Sequence, residues 1–298
     1  MNSMLSGVGL RLAATGLFAV MSLFVRLASF EVPVGQIMFW RSWVALIPII
    51  LYLMWRRQFP RGLRTARPLG HLKRSTFGLV SMFFSFLSLA YLPLALATAL
   101  GFLAPLLVLP VAMIMLRERP GIAVFTATFA GFAGVFLMLW PTFSTPGIDT
   151  GVLIGIAAGL AMAVTTAFAK VQIKALTATE SAGTIAFYFA VICSLGGLST
   201  LPFGWADTSP QILLWLIGAG LTGGLAHICM TEALARAPAS TLAAFEYTAM
   251  IWALLLDVMV FNLLPEPVSL AGAFLIVLAA AVVMFGDRLG DMVKGKRQ

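Results

Sequence analysis

Charge, thiols and imidazoles are all scarce in this sequence. Only 10% of its 298 residues are Asp, Glu, Lys or Arg, against about 25% in ordinary soluble domains. Two cysteines and two histidines exclude a disulfide framework and a zinc cluster. Cys193 and Cys229 sit inside apolar runs without metal-site spacing and read as small packing residues. The chain carries no HExxH, no phosphate loop, no paired-carboxylate metal motif and no GxSxG, so hydrolytic and nucleotide-driven chemistry has no foothold. No catalytic residue, metal or cofactor is expected. Acids are the scarcer charge, 11 against 19 Lys and Arg, for a net charge of +8. That balance would suit nucleic acid, but the positions of the basic residues exclude that partner.

What is abundant is apolar. The chain is 61% hydrophobic, with a mean hydropathy of +1.01. A bilayer core about 30 Å thick needs ~20 apolar residues per helix, and ten such stretches fit: 7–28, 34–54, 75–92, 94–116, 121–140, 150–171, 181–202, 211–233, 240–262 and 268–286. All but Arg11, Arg26 and Arg41 of the Lys and Arg lie in alternate gaps or the C-terminal tail, from the run Arg56–Arg74 through Arg117, Arg119, Lys170, Lys174 and Arg236 to Arg297. The other gaps carry Glu31, Asp149, Asp207 and Glu266, or no charge near Pro93. Basic residues resist translocation, so this alternation predicts ten transmembrane helices with both termini cytoplasmic. The basic run rests on anionic headgroups. The first stretch lacks a basic leader and a small-residue cleavage site and is expected to be a retained helix. Pro33, Pro60, Pro120, Pro141, Pro146, Pro210 and Pro267 mark breaks, and Pro48 and Pro105 lie within spans as expected kinks. Trp40, Trp43, Trp55, Trp140 and Trp205 fall near span ends as an interface belt. Small residues recur at Gly151, Gly155 and Gly159, at Gly220 and Gly224, and at Ala127 and Gly131. Such faces let helices approach closely in lipid, within a monomer or across a homodimer.

The two halves resemble each other at an offset near 145: Leu89-Ala90-Tyr91-Leu92-Pro93 matches Leu234-Ala235-Arg236-Ala237-Pro238, Pro120 matches Pro265, and Gly16-Leu17 and Arg26 match Gly159-Leu160 and Lys170 within two residues of that offset. Residues 1–145 and 146–298 therefore read as two five-helix repeats. Five is odd, so the second repeat enters the membrane from the opposite side. Inverted repeats are the mark of secondary transporters, which bind substrate near the midplane between halves.

On the Leu-Ala-x-x-Pro turn, the acid-plus-Pro turn before spans five and ten, and Arg41 early in span two, the whole chain resembles the drug/metabolite transporter superfamily, in particular its ten-helix EamA-type exporters, which include aromatic amino-acid exporters. Met250 departs from the pattern where the repeat has Pro105. The resemblance implies alternating access through a cavity lined mainly by spans 1, 3, 4, 6, 8 and 9.

Ionisable groups inside a membrane are functional candidates. Arg41, His227, Glu246 and Asp257 stand out. By depth, His227 and Glu246 can pair, as can Arg41 and Asp257, either as fixed ties or as substrate-binding and proton-coupling groups. Ser81, Ser85 and Ser88 share a helical face. With Phe84, Thr98, Phe102, Met162, Thr166, His227 and Tyr247 they are the expected cavity lining. The resulting expectation is an all-α integral membrane protein of the bacterial inner membrane that exports amino acids, aromatic ones among them, or similar small metabolites. A nucleotide-sugar or phosphate-ester carrier is the alternative, disfavoured because only Arg41 supplies a cation. Neither an intramembrane enzyme nor a channel finds its motif here. A tag at the N-terminus should report from the cytoplasm and one near Thr145 from the opposite face. Reporter fusions placing both on one side would overturn the odd-numbered repeat.

Overall fold

The computed structural model describes residues 2–104, 107, 122–144, 149–176, 179–236, 245 and 248–278, with no strand among them. The helices are α1 (Asn2–Ser29), α2 (Val34–Trp55), α3 (Pro68–Tyr91), α4 (Leu94–Gly101), α5 (Ile122–Ser144), α6 (Thr150–Leu176), α7 (Ala182–Leu198), α8 (Pro210–Arg236) and α9 (Thr248–Phe261), followed by α10 (Pro267–Leu278). Five segments of 20 to 25 residues, in α1, α2, α6, α7 and α8, are long and apolar enough to cross a membrane. Phe129–Pro141, α9 and α10 are shorter apolar helices.

Local chemistry sets the boundaries. α3 begins seven residues before the expected span because Pro68 occupies its first turn, where a fixed φ suits the helix and the missing N–H costs nothing. It ends at Leu92, held extended (φ −116°, ψ 153°) ahead of Pro93. Ser181 caps α7 by accepting the Thr184 N–H at 3.2 Å, and Asp149 accepts the Gly151 N–H at 3.2 Å at the start of α6. At the end of the bundle that carries the acidic loops, Gln36 forms two bonds with Ala206. Its Nε2 donates to the carbonyl at 2.9 Å and its Oε1 accepts the N–H at 3.0 Å. This clasp fixes the depth and rotation of α2 against the loop before α8.

The helices pair in a regular scheme. α1 packs along α8 and α3 along α6; α2 packs on α7 and α8, α3 on α7, α1 on α9, α4 on α6, and α4 on α9. Exchanging each helix n with helix n+5 maps every one of these pairs onto another of them or onto itself. The α5–α10 pair meets at Gly134 and Gly272, where a Cβ on Gly272 would lie 2.6 Å from the Gly134 carbonyl. The other glycine faces are also used within the chain. A Cβ on Gly155 or Gly159 would meet Leu92 or Leu100, and one on Gly220 or Gly224 would meet the backbone of α2 at Arg41 or Ala45. In lipid such close approaches supply the association that hydrophobicity cannot. The outer surface is apolar, with Trp55 75%, Met259 72% and Phe203 88% exposed, as a lipid-facing surface requires. Trp43 and Trp140 are likewise exposed, while Trp205 donates to Thr200 Oγ1 at 3.0 Å and packs on Phe39.

Gly272→Leu must push backbone apart at the α5–α10 contact, a kind of overpacking that costs about 1–3 kcal/mol. Its unfolding temperature in detergent should fall by several degrees. Gly9→Leu, with nothing within 4 Å of the new Cβ, should not move it. Equal shifts would show that the α5–α10 contact is loose.

Candidate functional site

The interior holds a small number of polar groups, and most are answered by a neighbour. Two arginines are not. Arg41 on α2 is 3% exposed and Arg74 on α3 is 8% exposed. Arg41 Nε and Arg74 Nε and Nη1 are buried without a hydrogen-bond partner, and neither side chain meets an acid among the described residues. Arg74 places its Cζ over the Phe189 ring of α7, 4.0 Å from its centroid. Arg41 reaches the surface of α8 where Gly223 leaves room; a Cβ there would sit 3.1 Å from Arg41 Nε. His227, one turn further along α8, stands edge-on to Phe18 of α1 at 5.1 Å and to Phe189 at 6.1 Å. Arg41, Arg74 and His227 lie within electrostatic reach of one another, and Cys193 of α7 borders both arginines. The sequence builds this centre by simple means. The glycines of α8 bring α2 close enough to bury Arg41, and the early start of α3 carries Arg74 into the bundle.

A second polar patch joins α3 to α6. Ser81 Oγ and Thr166 Oγ1 share a hydrogen bond of 2.6 Å, and Ser81 also reaches the Met162 carbonyl at 3.5 Å. Met162 is buried beside Gly101 of α4. Ser85, Phe84 and Thr98 are half-buried, Phe102 is buried, and Ser88 is fully buried facing Gly159 with its hydroxyl unpartnered. Trp252 of α9 lies 3.5 Å from the Cβ position of Gly16 on α1. Ser81, Met162 and Thr166 are thus brought together by hydrogen bonds between α3 and α6. Glu246 and Tyr247 lie outside the described residues, and with them the pairing of His227 with Glu246.

Asp257 does not meet Arg41. Its carboxylate accepts the Leu94 N–H at 2.9 Å and the Ala95 N–H at 2.7 Å, capping α4 from α9, and takes Arg26 Nη1 at 3.3 Å. Arg26 also lies 4.3 Å over the Phe261 ring. Depth allowed both partners; the rotation of α1 and α2 about their axes selected Arg26. A cleft of about 200 Å³ opens beside this cap, lined by Pro93, Met138, Leu254, Asp257, Glu266 and Ser269. Asp257 is already saturated there, so the cleft offers little polar recognition. Arg74 and the rings of Phe18 and Phe189 were missed from the sequence. Pro68 was the available signal, since a helix beginning there puts Arg74 nearly two turns inside. Among the described residues no group of three or more His, Cys, Asp or Glu is placed to hold a metal.

At the end carrying the basic loops, the segment before α3 is tied to the α6–α7 turn. Glu180 accepts the Thr65 hydroxyl at 2.7 Å and the Ala66 N–H at 3.1 Å. Thr184 donates to the Gly62 carbonyl at 2.7 Å and Tyr188 to that of Leu63 at 2.8 Å. The Thr65 hydroxyl holds the Glu180 carboxyl below its usual range; burial opposes it and the Ala66 N–H adds to it. His71, 1% exposed, stacks on Tyr188 at 4.6 Å with Nε2 3.8 Å from Glu180. Burial pushes its imidazole pKa down, opposed by the Glu180 carboxylate.

A family model described as the EamA-like transporter family matches the chain twice, over residues 5–140 and 149–285. The pseudopaline exporter of Pseudomonas aeruginosa is 28% identical over 278 residues, 92% of this chain and 94% of the relative. The S-adenosylmethionine uptake transporter of Rickettsia prowazekii is 26% identical over 296 residues, covering 97% and 95%. A protein crystal structure superimposes with a TM-score of 0.68 over 95% of this chain and 98% of that one at 22% identity, which establishes a shared fold.

The basic-end tie has a pH signature. Because the folded His71 resists protonation, the unfolded chain takes up the proton first as pH drops below about 6.5. Stability is then fully present above that value and falls as pH falls toward the depressed one. The unfolding temperature should decline from pH 7.5 to 5.5, and His71→Phe, which keeps the ring against Tyr188, should make that decline shallower. An unchanged slope would remove His71 as its source.

Proposed function

This chain belongs to the EamA-like transporter family, and we propose that it carries amino acids or similar small metabolites by alternating access between two inverted five-helix halves, residues 1–145 and 146–298. It is a multi-pass membrane transporter, not an enzyme. One observation carries the finer reading: a single buried polar centre draws Arg41 and Arg74 from the first half and His227 and Phe189 from the second. A group held between two bodies senses their relative motion, which a site within one body does not. The helix-exchange pattern of the packing and the twofold match to one family model support the repeat. Two such halves have two near-equivalent arrangements, open to opposite sides.

The relatives move different molecules in different directions, one by export and one by uptake. The basic loops support both termini being cytoplasmic, and we take export across a bacterial inner membrane as the direction, as in the pseudopaline exporter. Aromatic amino acids stay within the proposed range through Phe84, Phe102 and the rings around His227; the relatives do not single them out. Glu246 and His227 are the proposed coupling groups. Arg74 gives a second reading its support: with two interior cations, a nucleotide-sugar or phosphate-ester carrier has the charge it seemed to lack.

Proteoliposomes decide between them. L-Phenylalanine, L-leucine, S-adenosylmethionine, glucose 6-phosphate and UDP-glucose are offered with and without a pH gradient. Amino-acid counterflow is expected, and flux of the phosphorylated compounds alone would replace the first reading with the second. Glu246→Gln should slow the flux and alter its pH profile; an unchanged rate and profile would remove Glu246 from the mechanism.

A further inference from the structure

The two described acids within helices, Asp257 and Glu232, and Glu180 in the turn before α7 are committed elsewhere. Asp257 holds Arg26 and the start of α4, Glu232 holds Arg236 and Tyr52, and Glu180 holds Thr65 and Ala66. Arg41 and Arg74 stand buried with no such answer. A guanidinium away from water costs several kcal/mol unless it is paired, so a chain that keeps two of them together is expected to receive their counter-charge from outside.

The geometry suits an oxygen anion. Arg74 holds its Cζ over the Phe189 ring while its Nε and Nη1 have no hydrogen-bond partner, and those N–H groups are the part of a guanidinium that forks onto carboxylate or phosphate. Gly223 lets the Arg41 guanidinium pack against α8, where a Cβ would sit 3.1 Å from its Nε. Phe18 and Phe189 flank His227 as an apolar wall, where charge-assisted hydrogen bonds are stronger than in water. The four helices concerned, α2, α3, α7 and α8, form one exchange-related set.

We propose that Arg41 and Arg74, with His227 beside them, form the receptor for an anionic oxygen group of the substrate, a carboxylate or a phosphate, at the junction of α2, α3, α7 and α8. The proposal rests on the transport reading and narrows its substrates to organic anions and zwitterions. Neutral sugars, amines and amides are excluded.

Binding is tested apart from flux. Thermal unfolding of the purified full chain in detergent is followed with L-phenylalanine, L-glutamate and S-adenosylmethionine, with L-phenylalaninamide as the control that lacks the carboxylate, and with glucose 6-phosphate against glucose. At least one probe bearing a carboxylate or phosphate should raise the unfolding temperature while its control without that group does not, and whether it is a carboxylate or a phosphate ester identifies the group. Arg41→Gln and Arg74→Gln should each weaken that binding by at least about tenfold, the range of one hydrogen-bonded charge. Without ligand, Arg41→Met and Arg74→Met should unfold at the same or a higher temperature, because an unanswered charge has been removed. Equal shifts from the controls, no shift across the panel, or methionine variants that unfold well below the parent would each overturn the proposal. The last would mean that the arginines are structural, with an internal counter-ion that Glu246→Gln would expose by the same loss. Amino-acid flux indifferent to both glutamine variants would sink the receptor and leave the transporter. Anion binding without flux of any probe would do the reverse.

Discussion

A polar group removed from water must be answered inside the protein, because the hydrocarbon around it answers nothing. That constraint organises the whole bundle. It puts Asp257 on the bare amides of α4, Gln36 on both backbone groups of Ala206, and Ser81 on Thr166. It also makes the exceptions informative. Arg41 and Arg74 carry the largest unanswered polarity among the described residues, and they sit where helices of both halves converge.

The packing is close to symmetric and the chemistry is not. Helix pairs map onto one another under exchange of the halves, yet at the offset near 145 Arg41 corresponds to Ala186 and Arg74 to Ala219. Both cations come from the first half, while the second supplies Phe189, Cys193 and His227.

The bundle was legible in the sequence because hydropathy and charge placement report directly on crossing a membrane. α2 was expected at 34–54 and spans Val34–Trp55. α3 was misplaced at its start because the charges of residues 56–74 mask the helix that Pro68 begins. The serine stripe led to Ser81 and Thr166 because helical periodicity fixes a face. Asp257 was assigned to Arg41 because sequence gives depth along a helix but not rotation about it, and the rotation is set by contacts such as Gly220 and Gly223 against α2. Arg74 was read as a loop cation for the same reason that α3 was shortened.

Asp257 deserves its own consequence. It belongs to α9 yet grips the first amides of α4, and Arg26 of α1 closes over it. Three helices drawn from both halves are thus riveted at the acidic end. Separating them would strip one carboxylate of three donors at once, while the opposite end is held by the buried tie of Glu180, Thr184 and Tyr188 to the loop before α3. The bundle is thus clamped at both ends, by one carboxylate gripping three helices at the acidic end and by side chains of the α6–α7 turn and α7 gripping loop backbone at the other.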